Sequence, residues 1–93
     1  MSDEHRFKTN TPAEVFAALA EELTKLGMVS DARSSFSWSD AHPSVAGYGG
    51  NAWLLLEGDA VFVTLNLAAP GRFAESLRVA LIARRLDVQL EEA

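Results

Sequence analysis

The chain has 93 residues, 48% hydrophobic and 23% charged, with no cysteine and a formal net charge of −5. That length allows a single domain with one two-layer core, and the mixture is too apolar for disorder and too interrupted for a membrane span. Lack of cysteine excludes disulfides, thiolate metal sites and thiol nucleophiles, and thirteen acids against eight bases leave no basic footprint for nucleic acid.

The opening residues, Met1-Ser2-Asp3-Glu4-His5-Arg6, carry acids and no apolar run. That pattern predicts no signal peptide, a cytoplasmic location and fraying over residues 1–5. Arg6–Thr9 alternates weakly and suggests a short edge strand. Thr11-Pro12-Ala13-Glu14 then reads as an N-cap, a proline at the first helical position and a glutamate closing a capping box. Phe16, Leu19, Ala20, Leu23 and Leu26 follow at helical spacing, and Gly27 supplies a left-handed terminator. These signals predict a helix over 12–26.

Arg33–Ser39 alternates: Phe36 and Trp38 take one side, Ser35, Ser37 and Ser39 the other. Serines so placed, without a positioned base, are small polar strand residues and not nucleophiles. Residues 40–51 hold a proline and three glycines without periodicity and read as a long loop. Ala52–Glu57 and Ala60–Leu67 flank Gly58-Asp59, a two-residue connection that predicts a primed hairpin turn. This register pairs Leu56 with Val61, Leu55 with Phe62, Leu54 with Val63 and Trp53 with Thr64. One face then receives Leu54, Leu56, Val61, Val63, Leu65 and Leu67. The other receives Trp53, Leu55, Phe62, Thr64, Asn66 and Glu57.

Ala69-Pro70-Gly71 breaks the strand, and Phe73–Leu86 reads as a second helix with Arg84 and Arg85 at its C-terminal end. Its Glu75 is expected to pair locally with Arg78 or Arg72. Residues 87–93 are either an edge strand or a tail. The order (β)-α-β-β-β-α-(β) predicts an α+β two-layer sandwich, an antiparallel sheet of three to five strands with both helices on its aliphatic face. The alternative is a ferredoxin-like layout in which both terminal strands are real.

Function is the least legible property. The polar groups of the loop, Asp40, His42 and Tyr48, are the candidates for an acid–base enzyme or a small-ligand binder. The expectation favoured here is no enzyme: two histidines, His5 and His42, leave little for a metal, and no cofactor motif occurs. The stronger hint is surplus apolar surface. If the helices cover the aliphatic face, Trp53, Leu55 and Phe62 remain on the other, with Trp38 and Tyr48 as further interface candidates. This predicts a protein-interaction module, binding a second copy as a homodimer or a partner that it regulates or inhibits.

Overall fold

In the computed structural model, residues 3–32, 35–37, 51–66 and 69–92 are described. They form β1 (Asp3–Thr9), α1 (Pro12–Lys25), β2 (Val29–Ala32), β3 (Ser35–Ser37), β4 (Asn51–Glu57), β5 (Ala60–Asn66), α2 (Pro70–Ala83) and β6 (Val88–Glu92). The strands make one sheet in the order β2-β3-β4-β5-β1-β6, with every neighbouring pair antiparallel. Its β4-β5-β1-β6 portion has the interleaved split-βαβ connectivity of the ferredoxin-like layout. Both terminal strands are real, and β2 with β3 widens the sheet beyond β4.

Strand alternation decides where the core lies. Phe7 of β1, Ala52 and Leu54 of β4, and Val61, Val63 and Leu65 of β5 share one face and are at most 2% exposed. The helices close over that face with Val15, Ala18, Leu19 and Leu23 from α1 and Ala74, Leu77 and Leu81 from α2, all in one cluster. Phe36 of β3 joins them at 3% exposed. The result is the expected two-layer α+β arrangement. No described helix is long and apolar enough to cross a membrane.

Several expectations need correction. The sheet has six strands, not three to five, because Val29–Ala32 pairs with Ser35–Ser37. An edge strand built on Ser30 and Asp31 needs only the backbone ladder, so it carries no apolar alternation to read. Asp3, Glu4 and His5, expected to fray, pair with Leu65, Thr64 and Val63, and His5 is 3% exposed. Leu56 alternates onto the core-facing side, yet one residue from the hairpin tip it is 45% exposed. Trp38 and Leu67 lie outside the described residues.

Helix ends follow the backbone more than the apolar stripe. Around α1, Gly27 takes φ 93°, its N–H reaches the Thr24 carbonyl and that of Met28 reaches the Leu23 carbonyl. This is a Schellman closure, with Met28 and Leu23 both buried against the core. At the other end the capping box is absent: Thr11 makes no side-chain cap bond. Its N–H instead donates to Thr9 Oγ1 at 3.1 Å. The buried stripe is also rotated, leaving Leu26 41% exposed. The second helix runs Pro70–Ala83, earlier at both ends than Phe73–Leu86. Pro70 suits the first turn because its missing N–H is not needed there. Arg85, at φ 64°, ends α2 as Gly27 ends α1, with Leu86 N–H on the Leu81 carbonyl.

Candidate interaction face

The hairpin that carries the candidate face is set by its turn. Gly58 adopts φ 62° and Asp59 does not enter the positive region, the signature of a II′-type turn that suits twisted strands. The predicted register is the observed one: Glu57–Ala60, Leu56–Val61, Leu55–Phe62, Leu54–Val63 and Trp53–Thr64. Leu55 and Phe62 are therefore direct neighbours, and Trp53 stands diagonal to Phe62, within aromatic reach.

These three side chains lie on the face opposite both helices. Trp53 is 41% exposed and Leu55 54% exposed, while Phe62 is half-buried. The rows continue across the sheet into a charged half. Phe62 pairs with Arg6, and Arg6 with Glu91. Arg6 Nε donates to Glu91 Oε1 at 2.9 Å, closing an ion pair between β1 and β6. One row over, Thr64 Oγ1 donates to Glu4 Oε2 at 3.3 Å. The face is thus divided, with an apolar strip on β4 and β5 beside an ion-paired strip on β1 and β6. Sequence reasoning missed the second strip, because Arg6 and Glu91 are 85 positions apart. The faint signal was the alternation of Arg6 with Lys8 and of Gln89 with Glu91.

Asp40, His42, Tyr48 and Trp38 lie outside the described residues, so the structure brings together three of the predicted interface residues: Trp53, Leu55 and Phe62. Among the described residues, no group of three or more His, Asp or Glu side chains could hold a metal. Two further arginines form ion pairs among the described residues. Arg78 Nε donates to Glu75 Oε2 at 2.8 Å, the expected pair within α2. Arg84 leaves its own helix and donates through Nε to Glu22 Oε2 at 2.9 Å, with Glu21 Oε1 3.6 Å from its Nη2. That hydrogen bond holds the Glu22 carboxyl below the usual carboxylate range, against the opposing effect of burial and aided by the charge of Lys25.

In comparisons with family models, curated proteins and solved structures, none matched this chain. The functional reading rests on the face itself.

Proposed function

We propose that this chain is a protein-interaction module acting in the cytoplasm, docking through the apolar strip of Trp53, Leu55 and Phe62 together with the 40–51 loop. One observation carries the reading. Trp53 and Leu55 are 41% and 54% exposed beside half-buried Phe62, on the sheet face that neither helix covers. Contiguous apolar patches larger than roughly a few hundred Å² are rare on monomers, and tryptophan is enriched among residues that anchor interfaces. The flanking Arg6–Glu91 ion pair and Thr64–Glu4 hydrogen bond resemble the polar rim that surrounds such a centre.

A symmetric homodimer is the simplest form, since two-fold pairing needs only one self-complementary patch. A regulatory or inhibitory complex with another protein uses the same surface. Solution mass across a concentration series tests the homodimer first. A mass rising to twice the monomer, and lost in Phe62→Glu without loss of helix content, supports it. A monomer at every concentration rejects the homodimer and leaves the heterologous form, which requires that Phe62→Glu, unlike Val63→Glu, leave the chain folded.

A further inference from the structure

The sheet face that the helices leave open is uneven in a regular way. On β4 it carries Trp53, Leu55 and Glu57, and beside them on β5 stand Thr64, Phe62 and Ala60. The Trp53–Thr64 and Glu57–Ala60 rows each set a large side chain beside a small one, and Ala60 is recessed at 3% exposed. A second copy turned about a two-fold axis along the β4–β5 boundary exchanges the two strands. It lays Trp53 over Thr64, Leu55 over Phe62 and Glu57 over Ala60 of the copy, each contact made twice by symmetry. Large side chains of one sheet then enter the low ground of the other, as close-packed sheets require.

Charge selects this axis. On β4, β5, β1 and β6 the charged strand residues of this face are Arg6 and Lys8 against Glu4, Glu57 and Glu91, close to balance in a chain of net charge −5. An axis across the strands, along the Leu55–Phe62–Arg6–Glu91 row, stacks Arg6 on Arg6 and Glu91 on Glu91. Such like-charge juxtaposition opposes docking. The axis along the strands instead carries the two ion-paired strips to opposite sides of the complex. It also brings Glu4 of one copy over Ser35 of the other, because Ser35, Trp53, Thr64 and Glu4 share one row. A serine hydroxyl is a donor for that carboxylate.

We infer that the occupant of this face is a second copy of the chain, sheet on sheet, about a two-fold axis along the β4–β5 boundary. The inference rests on the interaction reading above and adds the partner and its orientation. A face that serves a different protein has no need to match itself row by row.

The test measures dimer dissociation constants of the full chain by sedimentation equilibrium, with circular dichroism to confirm the fold of each variant. Wild type should dimerise. Ser35→Asp sets a carboxylate against Glu4 of the copy, twice per dimer, and should weaken dimerisation about tenfold or more. Ser35→Lys should tighten it. Glu4→Lys should have little effect alone and should restore most of what Ser35→Asp loses. With the axis across the strands, Glu4 faces Lys8 of the copy, so Glu4→Lys would weaken the dimer and both Ser35 variants would be silent. That pattern overturns the inference. A wild-type chain that stays monomeric at every concentration also overturns it, while a folded Phe62→Glu variant then leaves the interaction reading standing. Unfolding by Phe62→Glu sinks both.

Discussion

At the residue scale, the backbone distinguishes positions that the sequence makes look alike. Thr9 and Thr11 are both threonines before a helix, but only Thr9 Oγ1 accepts the N–H of Thr11, at 3.1 Å, and Thr9 is 7% exposed. Thr9→Val keeps the shape and removes the acceptor, so it should cost about 1 kcal/mol in denaturant unfolding. Thr11→Ala should cost less than about 0.5 kcal/mol, because no cap bond is lost. The reverse ranking would restore Thr11 as the true cap. The two helix ends give a second contrast. Gly27 and Arg85 occupy equivalent left-handed positions at φ 93° and 64°. A side chain there is strained against its own carbonyl, so Arg85→Gly should stabilise by about 0.5–1 kcal/mol and Gly27→Ala should destabilise by about as much. Thermal melts of the two variants, moving in opposite directions, check the assignment.

At the element scale, the two helices are fastened to each other as well as to the sheet. Arg84, just past the end of α2, donates to Glu22 of α1, whose side chain is only 16% exposed. The Glu22 carboxyl is depressed, chiefly by that hydrogen bond. A depressed carboxyl stabilises the fold above its unfolded pKa, and the contribution is lost as pH falls through the lower folded value. Arg84→Met should therefore lower Tm at neutral pH, with the difference from wild type narrowing below about pH 4. A gap that stays constant into acid would assign the role of Arg84 to packing of its stem. This clasp was illegible in the sequence because its partners are 62 positions apart. By contrast, the hairpin was legible to the residue, since Gly58-Asp59 fixes a local register. The extent of α2 was not, because Pro70 reads equally as a breaker and as a first helical residue.

At the scale of the whole molecule, the apolar strip was legible where the ion-paired strip was not. Trp53, Leu55 and Phe62 are brought together by a turn of two residues, whereas Arg6 and Glu91 meet only once both chain ends join the sheet. The decisive comparison sits on adjacent residues of β5. Val63 is fully buried between sheet and helices. A glutamate there is cut off from water inside the apolar cluster, a penalty of several kcal/mol against a total stability of about 5–15 kcal/mol. Val63→Glu should unfold the domain or drive it to a loosely packed state. Phe62 points the other way, is half-buried, and stands opposite Arg6 in the register. A glutamate in its place reaches solvent and gains a cationic neighbour. Phe62→Glu should therefore keep the helical circular dichroism signal and a cooperative melt while losing whatever association the wild-type chain shows. If Phe62→Glu unfolds the isolated chain as completely as Val63→Glu, that face is internal and the interaction reading fails.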